Sequence, residues 1–89
     1  MAQSFKEHLT ELLALPEEIV LDLPLITLTG DRELGIGNYK NIIEYTETQI
    51  RVNTKSGVLM VEGIGLILAQ ITAEYITISG NIVKIEYVR

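Results

Sequence analysis

The segment Glu74-Tyr75-Ile76-Thr77-Ile78-Ser79 alternates polar and apolar residues along most of its length, and Gln49-Ile50-Arg51-Val52-Asn53 does the same. Successive side chains of a β-strand point to opposite faces of the sheet. The two segments are therefore predicted to be strands that direct one apolar set towards a core, namely Ile50, Val52, Ile76 and Ile78.

The remainder of residues 25–89 has the same character. Ile, Val and Thr supply 24 of these 65 residues, a composition typical of strands. The predicted fold class is all-β, a small sandwich or meander of seven or eight short antiparallel strands. A short β-solenoid is the alternative, because two β runs end in glycine 17 residues apart, at Gly63 and Gly80. Glycines and other turn residues separate the predicted strands, which are 25–29, 33–39, 41–45, 49–53, 58–62, 66–70, 75–79 and 83–88.

Residues 1–24 are predicted to form a separate N-terminal helical segment that packs on the β-rich domain of residues 25–89 or extends from it. Ser4 and Glu7 have the spacing of a capping box, and Pro16 ends the helix. A helix of about ten residues is marginal in isolation, so its apolar face is expected to dock on its own domain or on a partner. That face consists of Phe5, Leu9, Leu12 and Leu13.

The charge balance argues against nucleic acid as a partner. The chain has 12 acidic and 7 basic residues, a net charge of −5, and phosphate backbones would be repelled. No apolar run approaches the about 18 residues of a membrane span, and the Glu-rich helix differs from membrane-surface helices, which are rich in Lys and Arg. The first residues lack the apolar region of a secretory signal. The protein is therefore predicted to be cytoplasmic, without direct insertion into a membrane.

The residue types that carry catalysis or bind metals are scarce. The chain has no cysteine and one histidine, His8. A nucleophile with its base, or a zinc site, requires more such side chains. Gly35-Ile36-Gly37 matches only the start of a dinucleotide fingerprint, and Lys40 stands where its third glycine would be. We therefore expect no catalytic residues, no metal and no cofactor.

An open sheet edge is the remaining candidate for binding. Residues 38–45 and residues 82–89 are the predicted edges. Unpaired backbone groups of an edge can accept a strand from a partner or from a second copy of the chain. The charges of Lys84, Glu86 and Arg89 could equally prevent such pairing. The predicted partner contacts are the helical residues Phe5, Leu9, Leu12 and Leu13, together with Tyr87.

The order of strand and glycine motifs carries a family resemblance over nearly the whole chain. It begins with Leu21-Asp22-Leu23-Pro24-Leu25-Ile26-Thr27-Leu28-Thr29-Gly30 and continues through Ile50-Arg51-Val52-Asn53-Thr54, Val61-Glu62-Gly63, Ile76-Thr77-Ile78-Ser79-Gly80 and Ile82-Val83-Lys84-Ile85-Glu86-Tyr87. In this combination the chain resembles the YabP/YqfC family of sporulation proteins, most closely its YqfC members.

The resemblance implies a sporulation protein of the mother cell, expected in forespore maturation or in coat and cortex assembly. It also implies a membrane protein of the YqfD type as partner, and no known catalytic residues. Our leading hypothesis is a non-enzymatic, β-rich interaction module that binds this partner, with recruitment to the outer forespore membrane left open. The alternative is a structural scaffold that forms homo-oligomers by edge-strand pairing.

Overall fold

The computed structural model describes residues 23–89, which form six strands joined in one antiparallel sheet. These residues contain no helix, and the predicted N-terminal helix lies outside the described part of the chain. The strand order in the sheet is β1-β2-β6-β5-β4-β3. The strands are β1 (Leu25–Thr29), β2 (Glu33–Gly37), β3 (Asn41–Tyr45), β4 (Gln49–Thr54), β5 (Gly57–Ile71) and β6 (Tyr75–Val88).

The predicted all-β class and antiparallel pairing are confirmed, whereas the strand number and the solenoid alternative are wrong. Every strand pairing is antiparallel, which excludes the parallel coils of a solenoid among residues 23–89. The number falls because the predicted strands 58–62 and 66–70 are continuous in β5, and 75–79 and 83–88 are continuous in β6. Gly63 and Gly80 were expected to make turns. Both instead lie inside these long strands, where the β5–β6 register shifts.

Glycine is required at this point because the two long strands approach each other closely. A Cβ atom added to Gly80 would lie 2.8 Å from the Gly65 carbonyl oxygen and 3.0 Å from the Leu66 Cα atom. Gly80 also has a φ of 137°, which residues with side chains rarely adopt. A Cβ atom at Gly63 would collide with the carbonyl oxygen of Asn81. The β-bulges can therefore bend β5 and β6 together only where these positions lack side chains.

The bend folds the sheet back on itself. Asn38 and Lys40, only two residues apart, donate backbone hydrogen bonds to Glu74 at 2.7 Å and to Asn53 at 2.8 Å. Glu74 directly precedes β6, and Asn53 lies two strands away from the last residue of β6. A straight strand of 14 residues would hold its ends about 45 Å apart. The two hydrogen bonds instead keep the ends of β6 within about 30 Å of each other.

The bend divides the sheet into two half-sheets. The first half-sheet contains β3, β4, residues 57–63 of β5 and residues 82–88 of β6. The second half-sheet contains β1, β2, residues 67–71 of β5 and residues 75–79 of β6. The eight segments correspond to the eight predicted strands, so the sequence pattern located the extended segments but not their connections.

The two half-sheets share one core. At the bend, the Leu66 N–H donates to the Glu47 carbonyl oxygen at 2.8 Å, and the Leu68 N–H donates to the Tyr45 hydroxyl at 3.3 Å. These bonds join the β3–β4 turn to the second half of β5. Burial of both inner faces provides the hydrophobic stabilisation of the fold. The core side chains, each at most 8% exposed, are Leu34, Ile36, Ile50, Val52, Leu59, Val61, Leu66, Ile76, Ile78 and Ile82.

Threonine begins three of the hairpin turns. The hydroxyl groups of Thr46, Thr54 and Thr72 each donate to the carbonyl oxygen three residues later. Each hydroxyl also accepts a hydrogen bond from the backbone N–H two residues later. Such side-chain bonds replace the backbone partners that a tight turn cannot supply. They place the β3–β4, β4–β5 and β5–β6 connections at fixed positions along the sheet.

Candidate protein-binding surface

The two predicted sheet edges are found in the structure, although Ile82 of the second is paired. β3 is a terminal strand, which confirms the edge predicted at residues 38–45. β6 as a whole is internal, because β2 pairs with its residues 75–79 on the side opposite β5. The backbone N–H groups of Gly80 and Ile82 extend this side by donating to Arg32 and Asp31 at 3.1 and 2.8 Å.

Beyond Ile82 the pairing on this side of β6 ends. Within residues 23–89, no strand pairs with residues 83–88 on the side that faces away from β5. We call residues 83–88 the C-terminal edge. The prediction of an edge at residues 82–89 is therefore confirmed for residues 83–88, whereas Ile82 is paired on this side. An edge of this kind presents backbone donors and acceptors to another chain.

The C-terminal edge carries a charge pair on its outer face. The Lys84 Nζ atom lies 3.1 Å from the Glu86 Oε1 atom, and both side chains are about half exposed. Glu62 lies opposite Lys84 on β5. The hydrogen bond from Lys84 to Glu86 raises the pKa of Lys84, and the charges of Glu86 and Glu62 raise it further. Lys84 is thus held as a cation between two carboxylates.

Tyr87, the described member of the predicted contact set, packs inward rather than outward. It is partly buried against the core cluster. The Arg89 guanidinium lies 5.2 Å from the centre of its ring, and the Arg89 Nε–H donates to the Ser56 carbonyl oxygen at 3.0 Å. Burial raises the pKa of the Tyr87 hydroxyl, and the charge of Arg89 opposes this shift. A role for Tyr87 in partner contact stays a prediction.

The raised pKa of Tyr87 predicts a loss of stability in alkali. The unfolded chain ionises this phenol near its ordinary pKa of 10.0, whereas the folded chain keeps it neutral to higher pH. This contribution is therefore complete below about pH 10 and is lost as the pH rises through the folded pKa. Tyr87→Phe should flatten the fall in urea-unfolding free energy between about pH 9 and pH 11. Lys84 acts in the same direction, so part of the fall should remain. An unchanged profile in the variant would contradict this assignment.

Three branched apolar side chains are exposed on the outside of the bend. Ile64 is 65% exposed, Ile67 53% and Val83 69%. Ile64 is paired with Asn81, two residues from Val83, so the two side chains are diagonal neighbours across the strands. Ile67 follows on β5, opposite Ser79. We call Ile64, Ile67 and Val83 the bend patch.

The bend patch escaped the sequence prediction for a physical reason. Alternation assigns side chains to faces only while a strand is regular, and the register shifts between Glu62 and Gly63 and between Ile64 and Ile67. Glycine at positions 63, 65 and 80 was the available signal, but we interpreted two of these glycines as turns. The remaining predicted contacts, Phe5, Leu9, Leu12 and Leu13, lie outside the described residues.

The described residues offer no arrangement typical of a metal site or a membrane span. Residues 23–89 contain no group of three His, Cys, Asp or Glu side chains placed to hold a metal ion. In the same range, no buried side-chain nitrogen or oxygen lacks a hydrogen-bond partner. None of the described part of the chain forms a helix long and apolar enough to span a membrane. Among the described residues, we take the C-terminal edge and the bend patch as the candidate binding surfaces, in addition to the terminal strands β1 and β3.

Comparison with known proteins places the chain in a family. The profile of the YabP family matches residues 22–89. The uncharacterized protein YqfC of Bacillus subtilis (strain 168) is 30% identical over 83 residues, which cover 93% of this chain and 89% of that protein. No solved structure matches. The chain therefore belongs to the YabP family, a sporulation-associated family.

Proposed function

We propose that this chain is a non-enzymatic interaction module that acts during sporulation by binding a membrane-anchored partner of the YqfD type. Its place would be the mother-cell cytoplasm at the outer forespore membrane, in forespore maturation or in coat and cortex assembly. Membership of a sporulation-associated family supports the setting. The exposure of the bend patch is the observation that supports the proposed interaction.

The bend patch has the character of a small protein contact. Its three side chains are branched and apolar, so they lose little rotamer freedom when a partner covers them. Glu62 and Lys84 border the patch along the two strands. An apolar centre with a charged rim is the usual arrangement of a protein–protein interface. The partner is therefore expected to supply an apolar segment from the part of it that lies outside the bilayer.

The test is co-purification with the YqfD-type membrane protein from detergent-solubilised sporulating cells. The wild-type chain should retain this protein, and the double variant Ile64→Asp plus Ile67→Asp should lose at least about nine tenths of it. In the complex, the two introduced aspartate carboxylates would be buried without hydrogen-bond partners. The free-energy cost of this burial would exceed the binding free energy that such an interface supplies. A matched control is Ile43→Asp plus Ile71→Asp, which replaces two exposed isoleucines outside the bend patch. It changes the net charge by the same amount as the bend-patch variant.

The helical face provides the competing contact. Leu9→Asp plus Leu12→Asp should leave binding within about twofold of wild type if the bend patch is the contact. Full retention by the bend-patch variant, with loss in the helical variant, would contradict the proposed surface but not the partner. Absence of the membrane protein from the wild-type sample would contradict the proposed partner. Circular dichroism of each variant would establish that the sheet is intact.

A further inference from the structure

We propose that the C-terminal edge pairs with the same edge of a second copy of this chain, forming a two-fold symmetric dimer centred on Ile85. This inference goes beyond the proposed function and depends on the backbone of residues 83–88, which share only Val83 with the bend patch. The first observation concerns the backbone of residues 83–88. One edge of this segment is paired with β5, and no strand within residues 23–89 pairs with the opposite edge. An unpaired strand edge of this length can accept another strand.

Among residues 23–89, the surroundings leave this edge accessible. The Arg89 side chain turns back to Ser56 on the β4–β5 turn, away from the open side. Asp31 occupies the pairing position beside Ile82. The available length therefore begins at Val83, and a second copy centred on Ile85 would pair from Val83 to Tyr87. Five residue pairs are enough for one regular strand contact.

The charges select one register out of several. In antiparallel pairing centred on Ile85, Lys84 lies opposite Glu86 of the second copy, and Glu86 lies opposite its Lys84. Centring the pairing on Lys84 or on Glu86 would place like charges opposite each other. A shift by one residue would place the outer face of one copy against the inner face of the other. Opposite-charge cross-strand pairs stabilise a sheet, and like-charge pairs destabilise it.

The symmetry limits the assembly to a dimer. Each copy uses its C-terminal edge once, and both copies use the same residues, so the contact is closed. The first half-sheets of the two copies would then form one continuous sheet of eight strand segments. This outcome differs from an open-ended scaffold, which needs two different surfaces on each copy. The contact is small, so we expect dissociation at about micromolar concentration.

The experiment is sedimentation velocity of the full chain between about 1 µM and 1 mM, with charge variants at the edge. Wild type should shift from the mass of one chain to that of two. Lys84→Glu and Glu86→Lys should each dimerise at least about tenfold more weakly, because each reverses one member of both cross-strand pairs. An equimolar mixture of the two variants should regain wild-type dimerisation, since every pair in the mixed dimer again joins opposite charges. The double variant Lys84→Glu plus Glu86→Lys should also dimerise like wild type.

One control separates the register from general charge effects, and a second verifies that the variants fold. Lys40→Glu changes the net charge by the same amount as Lys84→Glu, but residue 40 lies outside the C-terminal edge. The Lys40→Glu variant should therefore dimerise like wild type. Because Lys84 and Glu86 are about half exposed, their variants are expected to fold, and thermal unfolding would verify this. A wild-type chain that stays monomeric at 1 mM would overturn the proposal. Dimerisation that is unchanged in both single variants, or that is not restored by mixing them, would overturn it equally.

Discussion

Gly80→Ala is expected to lower the free energy of unfolding by about 3 kcal/mol or more, measured by urea denaturation. Two costs combine at this position. A side chain is forced into a backbone conformation with φ at 137°, which costs on the order of 1–3 kcal/mol. Its Cβ atom also meets backbone atoms of Gly65 and Leu66 at 2.8 and 3.0 Å, and overpacking of this kind costs about 1–3 kcal/mol. Backbone atoms cannot rotate away as the end of a flexible side chain can.

Gly30→Ala is the matched control for this prediction. Gly30 also has a positive φ, 55°, but nothing lies within 4 Å of an added Cβ atom. Only the conformational cost of the left-handed backbone remains, roughly 1–2 kcal/mol. If Gly80→Ala were no more destabilising than Gly30→Ala, the close approach of β5 and β6 at the bend would be wrong. Single domains of this size have a thin margin, so Gly80→Ala should also reduce the yield of folded protein.

Leu66→Ala is expected to destabilise the protein by about 2–4 kcal/mol, whereas Ile67→Ala should cost about 1 kcal/mol or less. The two residues are neighbours on β5, but Leu66 is fully buried and Ile67 is 53% exposed. Leu66 belongs to the core shared by both half-sheets, so its truncation leaves a cavity where they meet. Thermal or urea unfolding of both variants measures the difference. Equal destabilisation would mean that the inner and outer faces at the bend are assigned incorrectly.

The alternating segments were predictable because regular strands obey a period of two. Ile50, Val52, Ile76 and Ile78 were predicted to face a core, and all four are fully buried. The hairpin connections at Lys55-Ser56 and at Gly30-Asp31 were also recognised as turns. These features depend on local sequence alone, so they can be predicted from one sequence without a structure.

The connection of segments into long strands was not predictable in the same way. A glycine can end a strand, make a tight turn or allow a bulge, and its identity does not distinguish these roles. At Gly63 and Gly80 the deciding factor is the close contact between the paired strands β5 and β6, in which Gly63 meets Asn81 and Gly80 meets Gly65. These partners are separated along the chain, so the local sequence does not reveal the contact. Strand order is similarly non-local, because β6 enters between β2 and β5. The edge predicted at residues 82–89 is present at residues 83–88, but the pairing of β2 with the first part of the same strand was not predicted.

The candidate surface depends on the same irregularity. Val83 would alternate with Lys84 in a regular strand, but both are exposed beside the shifted register. The exposure of Ile64 and Ile67 likewise follows from the bend, and their residue types are those of a core strand. Hydrophobic pattern alone would therefore have assigned the bend patch to the interior. The complementary order of Lys84 and Glu86 acquires meaning only once residues 83–88 are known to border an open side.

The central structural claim is that the bend folds the sheet back on itself, because this places the bend patch on an outer surface. The most direct measurement is the distance between spin labels attached through Ala73→Cys, two residues before β6, and Val88→Cys, its last residue. The chain has no other cysteine, so only these positions are labelled. The account predicts a mean distance of about 30 Å or less, as set by the hydrogen bonds of Asn38 and Lys40. A distance near the about 50 Å of a straight strand of this length would contradict it.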